Sequence, residues 1–200
     1  MGFRKAFLMN ITVKPYGLDS FVCRPDTTWE RECRDFFSPG FVKRLMYTPV
    51  AFARISKAGK YISGKFVPRY YDGLGFGILL YPGEILESGT PQSVASASIL
   101  DHTSLLPFPL YLPEVFRTDG NLFTFSKDGV EIFRATTGKK LMDEMEKGIA
   151  DASTFVSMRI GYLVACELAA PRLLVTGDEK KAGISAYFCG NELFRLSVII

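Results

Sequence analysis

Residues 53–78 read ARISKAGKYISGKFVPRYYDGLGFGI. The stretch continues an apolar run, Val50-Ala51-Phe52-Ala53-Arg54-Ile55, that reads as a strand entering the turn Lys57-Ala58-Gly59-Lys60. Lys65 to Asp72 reads as a helix end. Gly73, Gly75 and Gly77 then precede the apolar run Ile78-Leu79-Leu80-Tyr81, which reads as a buried strand. A G-x-G-x-G could suggest a phosphate loop, but no helix start follows it. Close approach of backbones is the better account of these glycines.

Outward from this stretch the pattern is mostly β. Upstream, the first 45 residues are broken by Pro15, Gly17, Pro25, Pro39 and Gly40, with a short strand at Phe21-Val22-Cys23 and one or two helical turns over Trp29 to Phe37. Residues 86–120 are turn-rich. Leu122 to Ser126 and Val130 to Arg134 flank Asp128-Gly129, a strong hairpin signal. Over 137–159, Leu141, Met145, Ile149, Ala152, Phe155 and Val156 recur at helical spacing. Arg172 to Thr176 is a strand, and Ile184–Cys189 with Leu193–Ile199 predicts a second hairpin around Gly190-Asn191. The expected class is α+β and β-rich: a mixed, bent sheet with one long helix packed on it through Leu141, Met145, Ile149 and Phe155.

Composition fits one ordinary domain over residues 1–200, with 48 % hydrophobic and 22 % charged residues. The net charge of +3 and the scattered basic residues argue against a nucleic-acid or membrane partner. Four cysteines without a CxxC pair give little support to zinc and fit free thiols in a cytoplasmic protein. The start, MGFRKAFLMNITV, lacks the long apolar core and cleavage site of a signal peptide.

The 53–78 stretch resembles a characteristic segment of the fumarylacetoacetate hydrolase family: V-x-R-I, then G-K-x-I, F-A-x-x-Y-Y-D and G-x-G-x-D. Arg54-Ile55, Gly59-Lys60, Ile62, Phe66, Tyr70-Tyr71-Asp72, Gly75 and Gly77 fall in that order. Phe21 to Asp26 is similar to the family's F-x-K-P-D, with Arg24 in place of lysine. Gly89-Thr90-Pro91, Asp128-Gly129, the helix from Thr137 with Met142, and Arg172 to Gly177 resemble later family segments in sequence order.

The resemblance implies the family's fold, its common dimer, and a site for magnesium or manganese held by an E-x-E pair and an aspartate. Hard cations take such carboxylate oxygens. Matched without gaps, the E-x-E glutamates fall on Thr48 and Val50 and the aspartate on Leu79. The family's R-D-x-Q becomes Gly83-Glu84-Ile85-Leu86, and its lysine falls near Ser96. The T-G-T-P loop becomes Thr176-Gly177-Asp178-Glu179, and no histidine stands in the N-terminal segment that supplies the family's His and Glu. The expectation is a non-catalytic family protein with the metal cofactor lost. It would form a homodimer or associate with a paralogue, and Arg24 and Thr176 remain candidates to hold a small carboxylate. Leu105 to Val115, apolar and Pro-rich, is expected at a subunit contact or against the core. The alternative is an active hydrolase, isomerase or decarboxylase of small oxo-acids with relocated residues, for which Glu84, Asp101 and His102 are the candidates. Two carboxylates converging in a cleft would favour that enzyme. A cleft lined by Thr48, Val50 and Leu79 would favour the first reading.

Overall fold

The computed structural model describes residues 10–200, so most of the N-terminal stretch read for a signal segment lies outside the described residues. In chain order the strands are β1 (Ile11–Lys14), β2 (Val22–Arg24), β3 (Phe36–Phe37), β4 (Arg44–Ile55), β5 (Tyr71–Pro82) and β6 (Ser104–Leu105). The later strands are β7 (Leu122–Lys127), β8 (Val130–Thr136), β9 (Leu163–Glu167), β10 (Arg172–Thr176), β11 (Lys181–Phe188) and β12 (Asn191–Ile199). The helices are α1 (Gly83–Leu86), α2 (Pro91–Ala97), α3 (Pro113–Arg117) and α4 (Lys139–Phe155), with a 3-10 helix over Gly64–Arg69.

The strands form two sheets. The larger runs β2-β1-β9-β4-β5-β6, with β10 added to β4; β1 and β9 are parallel and the other pairs antiparallel. The smaller runs β3-β12-β11-β7-β8. This is the expected mixed, β-rich architecture. The main core lies between the sheets. Tyr47, Phe76 and Leu80 of the larger sheet join Phe123, Phe125, Phe188 and Phe194 of the smaller one and Leu141, Met145 and Ile149 of α4. A second apolar cluster covers the opposite face of the larger sheet, with Ile11, Val13, Val50, Phe52, Leu79, Leu163 and Ala165 under Ala97 and Leu106.

Gly73, Gly75 and Gly77 lie within β5 rather than before it. A Cβ on Gly75 would stand 2.6 Å from the Phe52 ring, and one on Gly77 would collide with the Leu105 carbonyl oxygen, so close packing is the reason for both. The Asp128-Gly129 hairpin forms as expected, both residues taking the positive φ of a tight turn (50° and 81°). In the last hairpin the turn sits one residue earlier than expected, at Cys189-Gly190, and Asn191 already pairs with Phe188. Trp29 to Phe37 forms no α-helix; Phe36 and Phe37 pair in parallel with Val198 and Ile199.

The long helix is shorter than expected, and Phe155 is 66 % exposed. It is the last residue of α4, and its ring lies tilted against Phe21 with centroids 5.7 Å apart. In the Leu105 to Val115 segment Leu105 and Leu106 are fully buried against the protein's own core, the Tyr111 and Leu74 backbones hydrogen-bond each other, and Leu112 is 66 % exposed. All four cysteines are free; Cys33 and Cys166 are buried, Cys23 and Cys189 exposed. Among the described residues no helix is long and apolar enough to cross a membrane.

Candidate functional site

Thr48 and Leu79 are cross-strand partners on β4 and β5, and Val50 is the next residue on that face of β4. Strand alternation therefore places all three matched metal positions on one surface, as a metal centre would require. The chemistry there does not fit a cation. All three residues are fully buried, and Val50 and Leu79 belong to the second apolar cluster. The Thr48 hydroxyl donates to the Ala169 carbonyl. An ion at this rung would surrender hydration and receive no anionic oxygen from these three residues. Among the described residues, no group of three or more His, Cys, Asp and Glu side chains is placed to hold a metal.

Beside this rung, on the same face, lies a cleft of about 340 Å³. Its floor includes Met46 and Tyr81, themselves cross-strand partners, and its walls include Leu18, Leu86, Val94 and Pro171. Two carboxylates, Glu87 and Glu167, border it, while Thr48, Val50 and Leu79 are fully buried and outside its lining. Both carboxylates have partners. Glu87 is ion-paired with Arg44, which holds its carboxyl below the usual range. Glu167 accepts from the Tyr81 hydroxyl at 2.6 Å and the Tyr16 amide at 2.8 Å.

Glu167 is the residue that sequence reasoning missed. It ends β9 directly opposite Val50, so a carboxylate stands one strand away from a matched metal position. The available signal was a single acid closing the apolar run Leu163-Val164-Ala165-Cys166. Burial pushes its carboxyl above the ordinary range, opposed by the Tyr81 and Tyr16 hydrogen bonds and by the charge of Arg24.

Arg24 is corrected as an anion-holding candidate. It is fully buried, and its guanidinium donates to the Ser98 carbonyl (3.1 Å), the Thr103 carbonyl (3.2 Å), the Ser104 hydroxyl (3.0 Å) and the Leu80 carbonyl (2.8 Å). Its charged plane lies 4.6 Å from the centre of the Tyr81 ring. Tyr81 thus stands between the buried cation and Glu167. Arg24 ties β2 to β5 and to the chain around β6; it offers nothing to a ligand.

The remaining candidates are dispersed. Glu84 accepts from the Lys43 amide and faces Arg44, with one carboxylate oxygen buried and unpartnered. Asp101 and His102 are exposed in a separate hollow with Arg34 and Phe37, and His102 has a positive φ of 59°. His102 Nδ1 lies 3.0 Å from Glu30, not on Asp101. Thr176 borders a third hollow with Lys43 and Asp178, and its amide donates to Glu179. Ser96 is on the exposed side of α2. The structure therefore brings none of Glu84, His102 and Thr176 together.

Solved structures share this architecture over nearly the whole chain. A structure described as a fumarylacetoacetate hydrolase family protein from Yersinia pestis CO92 superposes with a TM-score of 0.77 at 14 % identity, covering 96 % of this chain and 93 % of that one. The chain has the fumarylacetoacetate hydrolase fold. Fumarylpyruvate hydrolase from Pseudomonas aeruginosa, solved with Mn²⁺ and pyruvate, shares the fold at a TM-score of 0.74 and 17 % identity, over 96 % of this chain and 89 % of that chain. Maleylpyruvate hydrolase from Sphingobium sp. SYK-6 does so at 0.72 and 14 %, over 96 % and 70 %. Neither a family model nor a curated protein sequence matches the chain. At these identities the fold is shared while the site chemistry must be read from this chain's own residues.

That chemistry predicts a pH effect at Glu167. A carboxyl raised on folding binds its proton more tightly in the folded state, so it favours folding fully below the ordinary carboxyl range and loses that contribution as pH rises through the folded value. Glu167→Gln removes the titration. Its melting temperature relative to the parent should therefore be higher at about pH 8 than at about pH 4. A difference that is flat or falls with pH would show that Glu167 is not held against ionisation.

Proposed function

We propose that this chain is a divergent fumarylacetoacetate hydrolase family protein that keeps the fold without the metal chemistry. In this reading it is a non-catalytic binding or interaction protein of the cytoplasm, paired with itself or with a paralogue. One observation carries the proposal: Thr48, Val50 and Leu79 occupy the matched ligand positions on one face, yet they are packed under an apolar layer with the only hydroxyl already bonded. The formal charge of that donor set is about −3 for three carboxylates and zero here. The free thiols accord with a reducing compartment.

Titration with millimolar Mn²⁺ should produce no heat beyond dilution and no rise in melting temperature, because a ligand that does not bind the folded state cannot stabilise it. A saturable rise abolished by Glu84→Ala, Asp101→Ala or Glu167→Gln would place a metal elsewhere and overturn the proposal.

A second reading has a specific observation behind it. Glu167 is a cleft carboxyl with a raised pKa, and such groups are candidates for general acids. An enzyme acting on small oxo-acids with relocated residues would use it. Turnover of fumarylpyruvate by the purified protein, lost in Glu167→Gln, would establish that reading over the first.

A further inference from the structure

Segment 57–70, between β4 and β5, carries Lys57, Lys60, Lys65 and Arg69 and no acidic residue. The turn Arg159-Ile160 adjoins it, because Gly59 and Met158 exchange backbone hydrogen bonds at 3.1 and 2.8 Å. All five cations are exposed, and among the described residues none stands within ion-pair distance of a carboxylate. The acids flanking the segment are already taken: Asp72 by a bidentate Arg54 and Glu146 by Arg117.

The cations of the segment lie on rings instead. Lys57 is 5.2 Å from the Tyr70 ring centre, Lys60 is 5.4 Å from Tyr61, and Lys65 and Arg69 are 4.8 and 5.3 Å from Phe66. Tyr61 is 72 % exposed, Ile160 62 % and Phe66 40 %. Apolar tips set among uncompensated cations form one surface. The whole-chain charge conceals it, because acids elsewhere offset these five cations.

We propose that this face docks the protein onto an anionic phospholipid surface. Lysine and arginine stems can lie along the apolar tips while their charges meet lipid phosphate and carboxylate groups. Aromatic rings settle at the headgroup level, and Ile160 gains from burial at the acyl boundary. A nucleic acid fits less well. Each ring of Tyr61 and Phe66 already has a cation over it, Ile160 offers no stacking face, and the segment presents few hydroxyls or amides to read base edges. The segment contains none of Thr48, Val50 and Leu79, and the surface stands independently of the proposed function.

Co-sedimentation of the full chain with phosphatidylcholine vesicles, with and without phosphatidylserine, tests the proposal. The protein should pellet only with phosphatidylserine present, and added salt should release it. Lys60→Gln with Lys65→Gln should weaken partitioning by about thirtyfold, two basic side chains' share of the attraction to such a surface. Tyr61→Ser with Phe66→Ser should also weaken it, and both double variants should keep the parental melting temperature because the replaced side chains are exposed. Failure to pellet with phosphatidylserine, or undiminished pelleting of the lysine double variant, overturns the proposal. Saturable binding of a fluorescent oligouridine that the lysine double variant loses, without vesicle binding, overturns it in favour of a single-stranded nucleic acid.

Discussion

Arg24→Ala should lower the melting temperature by about 6–20 °C. Breaking a buried charged network by removing one partner costs about 3–5 kcal/mol, and each kcal/mol is worth roughly 2–4 °C at this size. The truncation strips donors from the carbonyls of Leu80, Ser98 and Thr103 and from the Ser104 hydroxyl, all in the interior. It also removes the charge that opposes the upward shift of the Glu167 carboxyl. Arg24→Lys should recover only part of the loss, because one ammonium cannot span donors aimed at four separate acceptors. Thermal melts followed by circular dichroism measure both variants. A shift within about 2 °C for Arg24→Ala, under 1 kcal/mol on the same scale, would mean that the buried network is not supporting the sheet.

Phe76→Ala should be of comparable severity for a different reason. The ring stacks on Phe123 at 4.5 Å and Phe116 at 4.9 Å and meets the edge of Phe188 at 5.1 Å, joining both sheets and α3. Truncating a fully buried phenylalanine costs about 3–5 kcal/mol in transfer and cavity terms. That is a large share of the roughly 5–15 kcal/mol that holds a domain together. Phe155→Ala is the control: the same chemistry at an exposed helix end should move the melting temperature little. Equal shifts for the two variants would locate the core wrongly.

What was legible in the sequence was local. The Asp128-Gly129 turn fixes its own hairpin, and the apolar stripe of α4 is spaced by the helix itself. Family-like order around residues 53–78 supplied the rest of the fold. β9 escaped because Leu163-Val164-Ala165-Cys166 is too short for periodicity to separate strand from helix, and its partners β1 and β4 lie more than a hundred residues away. With β9 went Glu167. Arg24 was misjudged because arginine is rarely buried, and no spacing in the chain reveals that backbone carbonyls from residues 80 to 103 converge on it. The positions of Thr48, Val50 and Leu79 were legible; that a packed layer seals them was not, since the covering residues Ala97 and Leu106 belong to a turn-rich stretch without a pattern.

The second apolar cluster also constrains how this protein can change. A carboxylate introduced alone at Val50 would sit among aliphatic side chains with the Glu167 position directly opposite it, at a cost of several kcal/mol. The benefit of a bound ion appears only once several such groups are present together. Each one-residue step toward a metal centre would therefore be selected against before the last one could be rewarded. The face has become a ratchet: variation within it is channelled toward other hydrophobic side chains of similar volume, and new chemistry is more accessible at the neighbouring cleft, where Glu167 already holds an acidic group within reach of solvent.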